Sequence, residues 1–357
     1  MRTTNSRVVH PKIVHLTISF AVVLVSLLFA LQTGAVSVDW NDWLNLRTIA
    51  FSFVGGDLAH VLIDGDSYVL WYLRMPRVLL AVLIGACLGL SGALVQGLFR
   101  NPLSDPSLLG VTTGAACAAA ITIVVFSELT TSVSANVRFW LLPIVSFSGA
   151  FLTCMFLNVS SRWLTPGSIA GLLLLGIALN ALGVAIIGLC TYLATDEQLR
   201  SLSFWTLGSL AGASWTMVLV AGFLLTGAFL WARSLAYRLN ALSLGDVTAS
   251  HLGVVVTRLR WTVSVLVALL AGLAVAFCGV IGFVGLIAPH LARSLVGSDQ
   301  RALLPFSLLF GSLLMLAADT MARTVAIPAE IPVGIFTALL GGPFLMLLLR
   351  TKRHQVG

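Results

Sequence analysis

The chain has 357 residues, of which 59% are hydrophobic and only 9% charged, and its mean hydropathy is +1.03. A soluble globular protein carries about 25% charged residues, so the composition excludes one and indicates a protein embedded in lipid. The net charge of +7 is then explained by a basic cytoplasmic surface, and no nucleic-acid partner is expected.

Apolar runs long enough to cross a bilayer, which takes about 20 residues, recur along the whole chain. The first run has no small-residue cleavage site behind it, so we interpret it as a retained span and not as a signal peptide. The sequence therefore predicts an all-α, polytopic membrane protein with one transmembrane domain, residues 1–357. The ten predicted spans cover 13–33, 76–98, 107–126, 138–158, 168–193, 215–232, 259–280, 281–296, 302–322 and 332–350.

The distribution of basic residues indicates how the ten predicted spans are oriented in the membrane. An even number of spans puts both ends on one side, and the basic ends MRTTNSRVVHPK and RTKRHQVG indicate that this side is the cytoplasm. With that orientation fourteen of the 20 lysines and arginines lie inside, as the positive-inside bias requires. The six outside are Arg47, Arg74, Arg77, Arg138, Arg200 and Arg323.

Two outer connections are too long to be turns. Segment 34–75 contains amphipathic pieces, with Trp40 and Trp43 suited to the membrane interface. Segment 194–214 starts with polar residues and is too short to span the membrane. We predict a helix that enters from the outer face and breaks near Gly208 to Gly212.

The third long connection, residues 233–258, is predicted to be cytoplasmic and is called the coupling segment below. Asp246 is placed to cap the short helix VTASHL, and Gly253 to follow it at the C′ position. Another short helix is predicted near 234–243. Two short helices joined by glycine favour a rigid knob outside the membrane, with an ordinary surface loop as the alternative.

Glycines predict how the spans pack. Pairs four residues apart, such as Gly85/Gly89 and Gly110/Gly114, let membrane helices approach closely, and GVIGFVG predicts a sharp reversal between two spans. The halves 76–193 and 259–350 are weakly similar and start on opposite sides of the membrane, which is the arrangement of a possible inverted repeat.

Most catalytic signatures are missing from the chain. Its only lysines are Lys12 and Lys352, so it holds no phosphate-binding GxxxxGK[ST] loop. The five cysteines lie singly in apolar runs, and the histidines are dispersed, His290 being interpreted as a loop residue. Neither a disulfide framework, a metal site nor a cofactor is therefore expected. Asp319, the one acidic residue within a predicted span, is interpreted as a structural partner of Arg323 at i+4 rather than as a proton carrier.

Three of the outer arginines, Arg74, Arg77 and Arg323, lie at the ends of predicted spans. Arginine binds carboxylates bidentately and keeps its charge, so these side chains could receive a protein partner. They could equally anchor the helices at the interface or pair with acidic residues of the same chain. The candidates for such pairing are Asp66, Asp319 and Glu330.

Several blocks of the sequence resemble the FecCD-type permeases of ABC importers for ferric siderophores, haem and vitamin B12. The blocks are RMPRVLLAVLIGACLGLSGALVQGLFRNPLSDPSLLGVTTGA, LGSLAGASW, LGDVTASHLGV, GVIGFVGLIAPHLAR and ADTMARTVAIPAEIPVGIFTALLGGPF. The resemblance implies a subunit of the bacterial inner membrane that pairs with a second copy or a paralogue. It also implies ATP-binding subunits on the cytoplasmic face and a substrate-binding protein on the outer face.

The resemblance also implies roles for particular residues. Arg74, Arg77 and Arg323 would dock the binding protein, and ATP hydrolysis would take place on a separate subunit. The cytoplasmic gate would contain Asn101, Pro102 and Leu103, together with Ser168 from the loop LTPGSIAG, which is less polar than the family pattern. The contact with the ATP-binding subunit would be made by Gly245, Asp246, His251, Leu252 and Gly253.

The leading interpretation is thus a permease for an iron chelate, with ferric siderophore and haem ranked together above vitamin B12. A secondary transporter is disfavoured because ionisable groups in mid-membrane are missing, and a polytopic membrane enzyme because no catalytic constellation is found. The chelate, and whether the two permease subunits are identical, stay open.

Overall fold

Twelve α-helices of six or more residues, and no strands, make up the part of the chain that the computed structural model describes, residues 11–34, 65–127 and 134–356. They are α1 Pro11–Gln32, α2 Met75–Phe99, α3 Val111–Val124, α4 Ala135–Leu164, α5 Ile169–Leu193, α6 Asp196–Leu207, α7 Trp215–Ser243, α8 Asp246–His251, α9 Val256–Cys278, α10 Val284–Val296, α11 Gln300–Thr324 and α12 Val333–Val356. An α-helical turn, Gly65–Tyr68, and a π-helical stretch, Val69–Arg74, run directly into α2. Trp40 and Trp43, predicted at the interface, lie outside the described residues.

Each of the ten predicted spans coincides with a helix, which confirms an all-helical polytopic membrane protein. Among the described residues seven helices are long and apolar enough to cross a membrane: α1, α2 with its π-helical extension, α4, α5, α7, α9 and α11. The apolar helices α3, α10 and α12 are shorter. The 14 residues of α3 rise only about 21 Å, less than the roughly 30 Å of a hydrocarbon core.

Helix α2 lies at the centre of the bundle and contacts α7, α9, α10 and α11. Glycine allows the closest of these contacts. A Cβ atom at Gly85 would overlap the carbonyl oxygen of Gly311 on α11, and one at Gly89 would overlap that of Ser307. The prediction that the Gly85/Gly89 pair serves helix packing is therefore confirmed.

Two predicted breaks in the helices are also confirmed. Helix α6 starts with a capping box between Thr195 and Gln198 and ends at Gly208, whose φ is 73°. Between α9 and α10 the backbone is left-handed at Gly279 (φ 71°) and at Phe283 (φ 67°). Neither conformation continues a right-handed helix.

Three local predictions were wrong. Residues 234–243 form no separate helix but the end of α7, because residues 228–243 contain neither glycine nor proline. Asp246 is the first residue of α8 and not its N-cap, which is Gly245 with a φ of 110°. His290 lies inside α10, not in a loop, and its ring stacks edge-to-face on Phe344.

Candidate functional site

The first candidate site lies where α2 begins and α11 ends. Asp319 of α11 accepts a hydrogen bond from Arg77 at Oδ1 (2.9 Å) and another from Arg323 at Oδ2 (3.0 Å). Arg77 also donates through Nη1 to both carboxylate oxygens of Glu330, at 2.9 and 2.8 Å. These four residues and Arg74 are called the arginine–carboxylate cluster below.

Burial differs strongly within the arginine–carboxylate cluster. The side chain of Asp319 is 0% exposed, those of Arg323 and Arg77 are 7% and 11% exposed, and that of Glu330 is 48% exposed. A buried charge needs a partner of opposite sign, since desolvation otherwise costs several kcal/mol. Asp319 meets this need for two arginines at once, which confirms its predicted pairing with Arg323.

Arg74 and Arg323 also hold the end of α1. Arg323 donates to the carbonyl oxygens of Ala30 (3.0 Å) and Thr33 (3.1 Å), and Arg74 donates to that of Leu31 (3.2 Å). The last carbonyls of a helix lack partners within the helix, and basic side chains suit them in both hydrogen bonding and dipole. The two arginines therefore fix α1 against α2 and α11.

The structure thus brings all three predicted docking arginines together. Two of them, Arg77 and Arg323, also pair with acidic residues of the same chain, which was the alternative interpretation. Arg74 and Arg323 are buried, with 7% and 8% of their surface exposed. Only the pair between Arg77 and Glu330 reaches the surface. Asp66, the third candidate partner, has a side chain outside the described residues.

The second candidate site lies at the other end of α2, whose 25 residues separate the two sites by about 37 Å. Asp246 of α8 forms an ion pair with Arg100, which directly follows α2, at 3.2 Å. Its other oxygen accepts a hydrogen bond from Arg260 of α9 at 2.6 Å. Arg260 also donates to the carbonyl oxygen of Gly167, at 3.0 Å. Arg100, Asp246 and Arg260 are called the Asp246 network below.

The Asp246 network connects the segments that sequence analysis assigned to the gate. Arg100 has a left-handed backbone, with φ 54°, and immediately precedes Asn101. Asn101 accepts a hydrogen bond from the amide of Leu103 at 3.0 Å, which makes a tight turn around Pro102. Asn101 lies outside the helix, because the following proline disfavours helical geometry at this residue.

Ser168, the remaining gate candidate, caps α5 by accepting a hydrogen bond from Gly171 at 3.0 Å. It lies beside Gly167, the residue that Arg260 holds. A cavity beside it is lined by Ser168, Arg260 and Phe99 of α2, among others.

The coupling segment presents a short exposed helix. In α8 the last residue, His251, is exposed, as are Leu252 and Gly253 after it. Gly253 has a φ of 80° and its amide bonds back to Ser250, so its predicted C′ position is confirmed. The coupling segment thus contains one of the two predicted short helices, and a tight turn at Gly253 ends it.

Comparison with known proteins decides the family. The sequence profile of the FecCD transport family matches residues 22–351, which include both candidate sites. The chain belongs to the FecCD transport family. It is a transport protein that crosses the bacterial inner membrane several times.

Individual FecCD relatives align over most of their length. The hemin transport system permease protein HmuU of Yersinia pestis is 42% identical over 94% of this chain and 96% of its own. The vitamin B12 import system permease protein BtuC of Vibrio cholerae is 39% identical over 80% and 84%. A solved ABC transporter of metal-chelate type, in an inward-facing conformation, superimposes with a TM-score of 0.80 at 33% identity. That match covers 96% of this chain and 100% of the other.

Sequence reasoning missed two members of the Asp246 network in this FecCD permease. Arg100 and Arg260 were counted only as cytoplasmic basic residues, although they are separated by 160 positions in sequence and meet at one carboxylate. One available signal was the position of Arg100 directly before the Asn-Pro-Leu turn. A second was the isolation of Asp246, because the coupling segment that contains it has no other acidic residue.

Proposed function

We propose that the chain is the membrane-spanning subunit of an ATP-driven importer for an iron chelate, haem or a ferric siderophore. The observation that carries this proposal is the 42% identity to a hemin permease over 94% of the chain. Vitamin B12 is the second candidate substrate, supported by 39% identity to a B12 permease over 80% of the chain.

The helices and the charge distribution support the proposed transport architecture. All ten predicted runs cross the membrane, with the three shorter helices completed by adjoining turns and loops, and both ends are cytoplasmic. The Asp246 network then faces the cytoplasm and the arginine–carboxylate cluster faces outward. Two permease subunits, identical or paralogous, enclose one pathway, and the two halves of each subunit are related as an inverted repeat.

ATP-binding subunits supply the energy, and they dock on the coupling segment through Gly245, Asp246, His251, Leu252 and Gly253. The exposure of α8 and the rigid turn at Gly253 support this contact. Movement of α8 reaches the gate through Asp246. Arg100 carries it to the turn formed by Asn101, Pro102 and Leu103, and Arg260 carries it to Gly167 and Ser168.

The substrate-binding protein docks on the outer face at Arg74, Arg77 and Arg323. Of these, Arg77 offers the accessible edge, because its partner Glu330 is half exposed. In the free permease Glu330 occupies the guanidinium that a carboxylate of the binding protein takes on docking. Arg74 and Arg323 are buried and do not touch the binding protein. They fix the cluster in place and add positive potential that steers an acidic surface towards it.

Reconstitution of the permease with its ATP-binding subunits and binding protein in liposomes tests the proposed function. We expect haem or a ferric siderophore to accumulate only when ATP and the binding protein are both present. Cyanocobalamin should not compete, and its competition would favour the second candidate. Uptake driven by an ion gradient without ATP would contradict an ABC importer and indicate a secondary transporter.

A further inference from the structure

A groove runs between α7 and α9, beside the coupling segment. At its polar end a cavity of about 360 Å³ is lined by Arg238 and Ser234 of α7 and by Arg258 and Thr262 of α9. Trp231 of α7 also lines this cavity. Spacings of three and four residues place each set on one face of its helix, so the two faces form a single basic wall.

The two arginines of this groove have no counter-charge in the described part of the chain. Neither guanidinium makes an ion pair or a side-chain hydrogen bond there, and no acidic residue lines the cavity. This differs from both candidate functional sites, where carboxylates pair with the arginines. Two arginines that line one cavity without a counter-charge form a receptor for an anion.

The groove continues towards the middle of the membrane as an apolar channel. Trp231 also lines a second cavity, of about 200 Å³, whose walls are otherwise entirely apolar. On α7 these walls include Phe223, Leu224 and Gly227, and on α9 they include Leu270 and Leu273. Phe223 is 81% exposed, so the channel is open on its side.

The dimensions match one amphipathic molecule. From Arg238 back to Phe223 is fifteen residues of α7, or about 22 Å along its axis. One leaflet has about 15 Å of hydrocarbon, with the headgroup layer beyond it. A phosphate on the arginines would therefore place an acyl chain along the apolar cavity.

We propose that this groove binds an anionic phospholipid of the cytoplasmic leaflet. Its phosphate accepts hydrogen bonds from Arg238 and Arg258, and its acyl chain lies between α7 and α9. Basic recesses between membrane helices on the cytoplasmic side suit anionic headgroups. A free phosphate would use the polar end but would leave the apolar channel without an occupant.

The position of the groove gives the lipid a role in coupling, an extension that rests on the proposed function. Residues 253–255, which join α8 to α9, line the same polar cavity as Arg238 and Arg258. A bound headgroup would support this linker and so hold α8 in place against the ATP-binding subunit. Transport per ATP hydrolysed should then rise with the content of anionic lipid.

Native mass spectrometry of the purified permease with phosphatidylglycerol or phosphatidylcholine tests the binding step without requiring transport. We expect the double variant Arg238→Gln/Arg258→Gln to bind phosphatidylglycerol about tenfold more weakly, and phosphatidylcholine to bind poorly throughout. Arg233→Gln is the matched control, because Arg233 is an exposed arginine of α7 that lines neither cavity. Unchanged phosphatidylglycerol binding in the double variant would overturn the proposal.

A second variant tests the acyl-chain channel independently of charge. A Cβ at Gly227 meets open space, so Gly227→Phe should fold and fill the channel, weakening phosphatidylglycerol binding severalfold. Leu230→Phe, at an exposed position outside the groove, should not. Equal binding by both variants would show an anion site that holds no acyl chain and would contradict the proposal.

The ATP-binding subunit is the other partner that could reach these arginines. If the double variant bound phosphatidylglycerol normally but lost its ATP-binding subunits on purification, the arginines would belong to that interface and the lipid site would be rejected. In liposomes the proposal predicts a higher ratio of uptake to hydrolysis with phosphatidylglycerol than with phosphatidylcholine, and no such difference for the double variant. A complex that transports equally in both lipids would exclude the coupling role while leaving the proposed importer function intact.

Discussion

The two ends of α2 carry the same motif, an acidic side chain between two arginines, in opposite environments. Asp319 is 0% exposed, whereas Asp246 is 38% exposed and its partners Arg100 and Arg260 are 34% and 18% exposed. Buried ion pairs are costly to break, whereas exposed ones contribute about 0–1 kcal/mol. The first arrangement suits a fixed joint between helices, and the second suits contacts that break and re-form during a transport cycle.

The largest effect on uptake is expected from a crosslink at the cytoplasmic end of α2, where the proposed gate moves. If the turn after α2 narrows the cytoplasmic mouth, cysteines replacing Leu103 in both subunits should crosslink in the resting state and abolish nearly all uptake. The native cysteines should contribute little background crosslinking, because four of the five are buried and Cys117 is only partly exposed. The absence of a crosslink under every nucleotide condition would remove residue 103 from the gate.

The next largest effect concerns the fixed joint. Asp319→Asn leaves the buried Arg77 and Arg323 without their shared counter-charge, which should lower the free energy of unfolding by roughly 3–5 kcal/mol. Thermal unfolding in detergent measures this change. The control Glu197→Gln, at an exposed position of α6, should change stability by about 0.5 kcal/mol or less. Similar unfolding temperatures for both variants would show that the joint does not hold the helices together.

A smaller effect is expected at the exposed turn of the coupling segment. Gly253→Val forces a β-branched side chain into a left-handed backbone, which costs roughly 1–2 kcal/mol. We expect hydrolysis to continue while uptake falls. Gly212→Val is the matched control, because a Cβ at Gly212 also meets open space but its φ is not positive. Normal uptake by the Gly253 variant, with normal assembly, would argue against a coupling role.

The smallest effect concerns the one outer pair that reaches the surface. Charge reversal of Arg77 should weaken docking of the binding protein, but it also breaks the pair with buried Asp319. Glu330→Gln is the cleaner change, since it frees Arg77 without disturbing Asp319. We expect association with the binding protein to strengthen about two- to fivefold at low salt, and less at high salt.

Binding kinetics at two ionic strengths measure this docking effect. Asp196→Asn, a change at another exposed acidic residue, controls for a general change in surface charge. Unchanged or weaker association of the Glu330 variant would mean that Glu330 does not compete for Arg77.

Local signals in the sequence were enough for much of the fold. Apolar run length predicted where the long helices lie, and the C′ glycine at Gly253 and the i+4 pairing of Asp319 with Arg323 depend only on neighbouring residues. The helix predicted at 234–243 was wrong, because a change from apolar to mixed composition marks where a helix leaves the membrane and not where it ends.

The sequence did not indicate which distant residues pair with one another. Nothing local indicates that Arg100, Asp246 and Arg260 meet, because the meeting depends on how α2, α8 and α9 pack. The burial of Arg74 and Arg323 was hidden for the same reason. Both side chains donate to carbonyl groups at the end of α1, and a backbone group carries no sequence signal.

A double-mutant cycle between Asp246 and Arg260 tests most directly whether the Asp246 network carries movement to the gate. The quantity to measure is substrate taken up per ATP hydrolysed in liposomes, for Asp246→Asn, Arg260→Gln and the double variant. If the two residues act through their mutual contact, each single change should lower this ratio about fivefold and the double change should lower it no further. An unchanged ratio in the single variants, or losses that multiply in the double variant, would contradict the account.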